Sequence, residues 1–407
     1  MSKLESILRY VSENNEFYKN RIKQYGITDP LDINQWPILT RKDLQENRYN
    51  MFSDGFQTKY YNQQLRRQFS SGSTGTPINV YWDYKDWYAS NMCLWRRRRQ
   101  WYGIEPSDRY VVFTLAAFEK EYDMNANYQI QLRNTLLINI TMLHDDYGYL
   151  QIAKRICEFN PVWLYIQPTI LNRLIDIYKE YHINPPTALK YIESVGEVLT
   201  FDLRNKAQKF FNVVIANMYG SEEMNSIAYE CPNGHMHILE DNVFLERDST
   251  TNAGIIRTVV SSLNNKAMPL IRYDQEDRVL LGKAPICKYD SSPVIEKVFG
   301  RIYETIKLDD FEVNGITLKE IIAEVNNEFN DSISVYKFDF NQINKSLICY
   351  IKMRDDSILW FTNVRNAIEK AFNNKIPTKK LKLSIIHKND LKCSNSKQLI
   401  NIAEERE

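Results

Sequence analysis

Short apolar runs alternate with amphipathic segments between residues 109 and 220, and this alternation constrains the fold more than any other feature of the chain. RYVVFTLA, VWLYI and NVVIANMYG have the length and composition of buried strands, whereas LQIAKRICEFN and FDLRNKAQKFF have helical spacing. Strands that alternate with helices form largely parallel sheets covered by helices. We therefore predict an α/β fold.

The pattern changes twice after residue 230, and the chain of 407 residues is too long for one compact core. Residues 234–300 lack the alternation and indicate short strands and turns, as in a small barrel or an antiparallel sheet. The predicted order from residue 302 onward is β-α-β-β-α-β, a compact α+β unit. We expect a large N-terminal domain of several subdomains in residues 1–300 and a small C-terminal domain in residues 301–407.

The charge balance excludes some classes of partner. Lys and Arg number 52 and Asp and Glu number 51, so the chain as a whole has no attraction for nucleic acid or acidic membranes. No apolar run approaches the roughly 18–20 residues of a membrane span, the first 26 residues lack a signal-peptide pattern, and the six cysteines are scattered. We therefore expect a cytoplasmic protein with reduced thiols and no nucleic-acid or membrane partner.

Four consecutive arginines, Arg96 to Arg99, lie in a predicted helix. Consecutive residues of a helix point around most of its circumference and do not make one patch. We expect a solvated or inter-subunit face, with a docking surface for a phosphopantetheine partner as the alternative.

Four polar segments have the residue types that bind nucleotides. Residues 70–77, SSGSTGTP, have small side chains, so that backbone N–H groups and hydroxyls can surround phosphate oxygens. Residues 217–223 and 268–277 follow apolar strands, and ligands of open α/β sheets bind beyond the carboxyl ends of strands. The fourth segment, residues 393–399, contains a lysine. Taken singly, the first three segments are also explained by ordinary turns, and the lysine of the fourth by a solvated tail.

In their order along residues 40–400, the motifs resemble those of adenylate-forming enzymes of the phenylacetate–CoA ligase type, which include capsule-biosynthesis relatives. The motifs that carry the resemblance are SSGSTGTP (70–77), ESVGEVL (193–199), YGSEE (219–223), ECPNGHMHILED (230–241), AMPLIRYDQED (267–277), Gly300-Arg301 and SNSKQL (394–399). The resemblance implies ATP- and Mg²⁺-dependent conversion of a small carboxylic acid to an acyl-adenylate, followed by transfer to the thiol of CoA or of a carrier protein's phosphopantetheine.

The resemblance also implies roles for particular residues. The phosphates would be bound by Ser71, Gly72, Ser73, Thr74 and Gly75. The adenine would be contacted by Gly196, Glu197 and Tyr219, and Gly220 and Ser221 belong to the same nucleotide motif as Tyr219. Glu223 would coordinate Mg²⁺, Asp277 would bind the ribose with Arg301 close by, and Lys397 would bridge the substrate carboxylate and the α-phosphate. Lys397 and Glu223 are thus the expected catalytic residues. The small domain would be mobile, with a hinge near residues 303–304, and a homodimer is expected.

Several positions depart from the resembled pattern. Glu222 replaces a Ser or Thr, residues 274–276 are acidic, residues 302–304 lack an Asp-Asp pair, and Ser396 replaces a Gly.

We prefer an aromatic acid as substrate and a thiol as acceptor. Transfer to an amine or sugar and a non-catalytic nucleotide-binding role are the alternatives.

Cys231, His235, His237 and Cys287 are candidate zinc ligands. Some members of the resembled family hold a structural zinc through a Cys and a His of the first stretch and a Cys-x-Cys of a later loop. A closed zinc site needs four ligands, and the later loop, ICKYDSS, supplies only Cys287. His235 is the candidate for the missing ligand, but on sequence alone we favour polar loop residues around one buried thiol.

Overall fold

The computed structural model describes residues 1–69, 78–114, 129–140, 143, 146–247, 255–301, 305–308, 312–329, 332–353, 358–376, 380–391 and 400–403. Six candidate residues lie outside these ranges: Ser71, Gly72, Ser73, Thr74, Gly75 and Lys397. The predicted hinge at residues 303–304 also lies outside them.

Short helices at the N-terminus pack against the antiparallel half of the central sheet and share one hydrophobic cluster with it. They are α1 (Lys3–Asn14), α2 (Glu16–Tyr25), a 3-10 turn (Ile33–Gln35), α3 (Arg41–Glu46) and α4 (Phe56–Tyr61). Helix α3 begins with a capping box, because Thr40 Oγ1 accepts a hydrogen bond from Asp43 N at 3.2 Å while the Asp43 carboxylate accepts one from Thr40 N at 2.8 Å.

Residues 70–77 lie between the two strands of a hairpin that is separate from the central sheet. Its strands are β1 (Arg66–Phe69) and β2 (Asn79–Trp82), which pair in antiparallel register. Helix α5 (Tyr84–Tyr102) follows directly.

A twelve-stranded sheet forms the centre of the large domain. Its strands are β3 (Tyr110–Thr114), β4 (Gln129–Leu132), β5 (Thr135–Asn139), β6 (Trp163–Ile166), β7 (Tyr191–Val195), β8 (Val214–Ser221), β9 (Asn225–Glu230), β10 (Met236–Ile238), β11 (Val243–Leu245), β12 (Ile255–Ser262), β13 (Tyr273–Gly282) and β14 (Val294–Arg301). The strands are ordered β11-β12-β13-β14-β10-β9-β8-β7-β6-β3-β5-β4.

One half of this sheet is parallel, as predicted. β5, β3, β6, β7 and β8 run in the same direction, and the connecting helices are α6 (Asp146–Phe159), α7 (Pro168–Glu180) and α8 (Phe201–Phe211). The apolar sides of these helices and the strands enclose a second hydrophobic cluster, which is why the apolar residues recur at helical spacing between the strands.

The other half, from β8 to β14, is antiparallel. The antiparallel pairing that we predicted for residues 234–300 is present, but these strands continue the central sheet and do not form a separate barrel. The short strand β10 makes the connection, because it pairs with β9 on one side and with β14 on the other.

The described C-terminal residues form a two-stranded sheet and a four-stranded sheet, and they have their own hydrophobic cluster. Its elements are β15 (Thr305–Lys307), β16 (Glu312–Asn314), α9 (Gly315–Glu328), β17 (Ile333–Asn341), β18 (Ser346–Met353), α10 (Ile358–Lys375), β19 (Lys382–His387) and β20 (Ile400–Ala403). The predicted α+β order is present, with β16 and β20 added. The domain limits at residues 300 and 301 stay a prediction. Within the described ranges, no helix has both the length and the hydropathy that crossing a membrane requires.

Candidate nucleotide-binding site

Two predicted site residues from distant motifs are in direct contact. The hydroxyl of Tyr219, in β8, donates a hydrogen bond to Asp277 Oδ2, in β13, at 2.8 Å. β8 and β13 are four places apart in the sheet, and a flat sheet with strands about 4.8 Å apart would separate them by about 19 Å. The sheet therefore curls strongly enough to bring the two motifs together.

Strand β14 is the neighbour of β13, and its backbone brings the predicted Gly300-Arg301 segment next to Asp277. Asp277 and Arg301 are partners in the register of β13 and β14. Gly300 has a φ of 79°, in the left-handed region that glycine adopts without strain. The three motifs that contain Tyr219, Asp277 and Arg301 thus meet in the curled half of the sheet.

The end of β8 and the turn after it hold three further predicted residues. A Cβ at position 220 would lie 2.2 Å from the carbonyl oxygen of Asn225, so only glycine fits there. Ser221 Oγ accepts a hydrogen bond from Met224 N at 3.2 Å. Glu223 is 3% exposed, and no hydrogen bond or ion pair reaches its carboxylate from the residues that the structure describes.

Gly196 and Glu197 lie at the same edge, directly after β7, which pairs in parallel with β8. Glu197 Oε2 accepts hydrogen bonds from the backbone N and the hydroxyl of Thr169, at 3.1 and 2.5 Å. Thr169 belongs to the first turn of α7, so the carboxylate faces the positive end of a helix. This contact fixes the orientation of Glu197 next to the Tyr219 strand.

The acidic turn before Asp277 is held by its own contacts. Asp274 is 2% exposed and forms an ion pair with Arg257, and its Oδ1 accepts a hydrogen bond from Glu276 N at 2.9 Å. Glu276 has a φ of 58°. The departure from the resembled pattern at residues 274–276 therefore shapes the turn and leaves the contact between Asp277 and Tyr219 in place.

The arginine run forms the solvated face that we expected only in part, because Arg96 and Arg99 are exposed whereas Arg98 is buried. Arg98 is buried and makes two hydrogen bonds to Glu193, from Nε to Oε2 at 2.8 Å and from Nη2 to Oε1 at 2.6 Å. The hydroxyls of Tyr191 and Tyr229 also donate to Glu193, each at 3.1 Å. The sequence signal that we missed is Glu193 itself, since a carboxylate in the middle of a buried strand requires a buried partner.

The remaining arginines of the run also have partners. Arg96 and Arg97 both pair with Asp241, at 2.7 and 3.0 Å, and Arg99 pairs with Glu105 at 2.8 Å.

The four candidate zinc ligands meet in one place. One ligand atom from each of Cys231, His235, His237 and Cys287 lies within 4.8 Å of all the others. The two sulfur atoms are 3.7 Å apart, and a tetrahedral zinc with Zn–S bonds of about 2.3 Å would hold two sulfurs about 3.8 Å apart. His235 supplies the fourth position that the later loop lacks.

The protonation of two of these side chains suits a metal. Burial opposes ionisation of the Cys287 thiol, but the polar groups around it, with His235 first among them, outweigh burial and lower the Cys287 pKa to about 6, whereas burial raises the pKa of Cys231. His237 Nδ1 lies 3.1 Å from the carbonyl oxygen of Ser292, which can only accept, so the proton is on Nδ1 and the lone pair is on Nε2. His237 Nε2 and His235 Nδ1 are buried and have no hydrogen-bond partner in the described part of the chain.

The sequence of this chain is similar to known AMP-binding enzymes. Residues 64–254 match the family model described as AMP-binding enzyme. CapK of Staphylococcus aureus is 23% identical over 372 residues, which cover 87% of this chain and 78% of CapK.

Solved structures of similar fold include acid–CoA ligases. The 2-hydroxyisobutyryl-CoA ligase in its postadenylation state, with 2-HIB-AMP, has a TM-score of 0.78 at 15% identity and covers 99% of this chain and 88% of that one. The same enzyme in its thioesterification state, with 2-HIB-AMP and CoA, has a TM-score of 0.60 at 15% identity and covers 98% and 88%. The anthranilate CoA ligase AuaEII with anthranoyl-AMP has a TM-score of 0.55 at 15% identity and covers 80% and 63%.

At these identities the solved structures establish the fold, while the family model establishes the sequence relation over residues 64–254. The resemblance that the motifs predicted is thereby confirmed at the coarse level: residues 64–254 match the AMP-binding enzymes, and the chain has the fold of the adenylate-forming enzymes.

Proposed function

We propose that this chain activates a small carboxylic acid with ATP to give an acyl-adenylate and pyrophosphate. The contact between Tyr219 and Asp277 is the observation that carries the proposal. It joins the end of a strand to an acidic residue that lies 58 positions later, and the resemblance implies nucleotide contacts for both residues. The proposal also accounts for the family match over residues 64–254.

The described residues suit the nucleotide in three ways. Tyr219 offers a flat ring while its hydroxyl orients the Asp277 carboxylate, which can then accept from ribose hydroxyls. Gly220 lets the backbone of the β8–β9 turn pack closely. The buried Glu223 carboxylate is short of positive charge in the described structure, and Mg²⁺ bound there would supply charge that stabilises the departing pyrophosphate.

The first step joins two anions, so positioning and charge carry most of the catalysis. A carboxylate oxygen of the acid attacks the α-phosphorus, and the bond between that phosphorus and the bridging oxygen of pyrophosphate breaks. By resemblance we assign Lys397 to the developing charge at the α-phosphate, and Ser71 to Gly75 to the β- and γ-phosphates.

For the second step we favour transfer to a thiol. The sulfur attacks the acyl carbon, and the bond to the adenylate oxygen breaks and releases AMP. The fold is shared with CoA ligases for an aromatic acid and for a small aliphatic hydroxy acid, which fits either substrate type; our sequence-based preference is the aromatic acid. CoA, a carrier protein and a homodimer stay predictions, as does transfer to an amine or a sugar.

ATP–pyrophosphate exchange across a panel of aryl and short acyl acids tests the proposal. We expect exchange with at least one acid, and loss of that exchange in Lys397→Ala while ATP still binds. Exchange at the wild-type rate in Lys397→Ala would remove the role assigned to that lysine. No exchange with any acid, together with intact ATP binding, would favour a non-catalytic nucleotide-binding protein.

We also propose that Cys231, His235, His237 and Cys287 bind one structural zinc ion. The spacing of the two sulfurs and the two unpaired, buried histidine nitrogens support it. Four protein ligands leave no open position for substrate, which is the arrangement of a structural site. Such an ion would tie the turn between β9 and β10 to the loop before β14.

Metal analysis tests the zinc site. We expect one zinc per chain in protein purified without chelator, little in Cys231→Ser, and full content in the control Cys157→Ser, whose thiol lies outside the cluster. Removing the metal should lower the thermal unfolding temperature of the wild type by several degrees, because binding energy at such a site contributes to folding. Absence of stoichiometric zinc even after reconstitution would contradict the site.

A further inference from the structure

Two cysteines of the candidate zinc site also form a close pair of thiols. Cys231 Sγ and Cys287 Sγ lie 3.7 Å apart, although 56 positions separate the two residues in the sequence. A disulfide bond has a length of about 2.05 Å, so the two sulfurs would have to approach each other by about 1.7 Å. The pair is therefore placed for a reaction between its own members as well as for a metal.

The backbone around the pair permits this approach from one side. Cys231 directly follows β9 and lies in a tight turn, where its N–H donates to the carbonyl oxygen of His235 at 2.9 Å and its own carbonyl oxygen accepts from Gly234 N at 2.8 Å. Cys287 lies in residues 283–293, the connection between β13 and β14, and thus outside both strands. A shift of this connection would bring the sulfurs together without breaking the pairing of β13 with β14.

The two thiols differ in their access to solvent. Cys231 is 1% exposed, whereas Cys287 is half-buried and directly follows Ile286, whose side chain is fully exposed. A small oxidant that arrives from solvent therefore meets Cys287 first. Cys231 lies behind it, where its sulfur can react with the oxidised sulfur of Cys287.

We propose that Cys231 and Cys287 form a peroxide-reactive pair that closes to a disulfide. Cys287 Sγ attacks one oxygen of hydrogen peroxide, so that an S–O bond forms, the O–O bond breaks and one water leaves. Cys231 Sγ then attacks Cys287 Sγ, the S–S bond forms, the S–O bond breaks and a second water leaves. Each sulfur loses one electron and the peroxide gains both; the two protons come from the thiols, or from solvent where thiolates bind a metal.

Release of zinc would follow, because the reaction removes two of the four ligands. Zinc binds thiolates, and a disulfide contains none. Only His235 and His237 would remain, whereas a structural zinc site needs four ligands. The release of zinc rests on the proposed zinc site, but closure of the disulfide does not, since it needs only the two sulfurs.

Treatment of the full-length protein with hydrogen peroxide tests the inference. A chromogenic chelator measures the zinc that is released, and the masses of unreduced peptides identify the disulfide. We expect one intramolecular disulfide between Cys231 and Cys287 for each zinc released. Both thiols should return after treatment with dithiothreitol.

Cys157→Ser is the matched control, because the Cys157 thiol is also half-buried but has other neighbours, such as the Asn184 carbonyl oxygen at 3.3 Å. It should behave as the wild type. Cys231→Ser should stop at the sulfenic acid of Cys287, which dimedone traps. Cys287→Ser should react at Cys231 at least tenfold more slowly than the wild type reacts at Cys287, because Cys231 is buried.

Metal-free wild-type protein separates this inference from the proposed zinc site. Closure of the disulfide in protein that never takes up zinc would contradict the zinc site and support the reactive pair. If both thiols of metal-free protein stay free after peroxide treatment, or if Cys287 joins a second chain instead of Cys231, the inference is wrong. These measurements do not use pyrophosphate exchange, so they are independent of the outcome for the proposed adenylation.

Discussion

The hydroxyl of Tyr219 connects the β8 motif to the β13 motif of the proposed nucleotide site. Its partner Asp277 is 8% exposed, and a carboxylate with so little access to water depends on such hydrogen bonds for its orientation. The aromatic ring and the hydroxyl have separate tasks. A substitution that removes only the oxygen can therefore test the contact without removing the ring.

Tyr219→Phe should raise the KM for ATP about ten- to 150-fold with a smaller effect on kcat, because a hydrogen bond to a charged group contributes about 1.5–3 kcal/mol. Pyrophosphate exchange at varied ATP concentration measures this. Tyr147→Phe, at an exposed position of α6, is the control and should behave as wild type. An unchanged KM in Tyr219→Phe would mean that the hydroxyl does not orient a nucleotide-binding group.

At the scale of elements, the turn between β8 and β9 depends on close approach of two backbones. Gly220 faces the Asn225 carbonyl at a distance that no side chain tolerates, and the register of the two strands shifts between Tyr219 and Gly220. This irregularity sets the direction in which Glu222 and Glu223 leave the sheet. The backbone conformation of this turn therefore determines where the carboxylate of Glu223 lies in the proposed site.

Gly220→Ala should lower the free energy of unfolding by about 2 kcal/mol or more, because the added carbon forces the strands apart or strains the turn. Denaturant unfolding measures the change. Gly282→Ala is the control: the atoms nearest to its Cβ would all belong to the flexible Glu296 side chain and not to the backbone, so its effect should be smaller. Equal losses in the two variants would contradict this account of Gly220.

The parallel half of the sheet was predictable because its signal is local: each strand and each crossover helix has its own periodicity. The pairing of Met236 with Ile295 is not local, and no pattern near either residue indicates it, so the antiparallel half looked like a separate unit. Glu193, a carboxylate in a buried strand, did indicate a buried partner, but no local pattern identifies that partner as Arg98, which lies 95 positions earlier. The sequence identified Cys231, His235, His237 and Cys287 as candidate ligands, but only the three-dimensional structure shows that His235 lies close enough to be the fourth ligand.

At the scale of the whole molecule, ion pairs join the central sheet to the C-terminal part. Arg278 in β13 pairs with Glu312 in β16 at 2.5 Å, and Lys297 in β14 lies 3.7 Å from Glu320 in α9. The TM-score is higher against the postadenylation state of the 2-hydroxyisobutyryl-CoA ligase than against its thioesterification state. These contacts thus belong to an arrangement that resembles the former state.

Glu312→Arg should slow pyrophosphate exchange relative to thioester formation by about two- to fivefold, because like charges would oppose this arrangement and partly exposed pairs contribute up to about 1 kcal/mol. The ratio of the two rates, measured with one acid and CoA, reports the change. The double variant Arg278→Glu/Glu312→Arg restores opposite charges and should restore the ratio. A ratio that stays at the wild-type value in the single variant would show that the pair does not bias the arrangement.

In the proposed site, the curl of the sheet would make nucleotide affinity a property of many strands at once. β9, β10 and β14 lie between the strands of Tyr219 and Asp277, and loosening any one of them would let the two side chains drift apart. A substitution in the core of one of these strands, far from the ligand, would then weaken nucleotide affinity even though every residue that touches the nucleotide is unchanged. By the same linkage, a bound nucleotide would strengthen all of these pairings together.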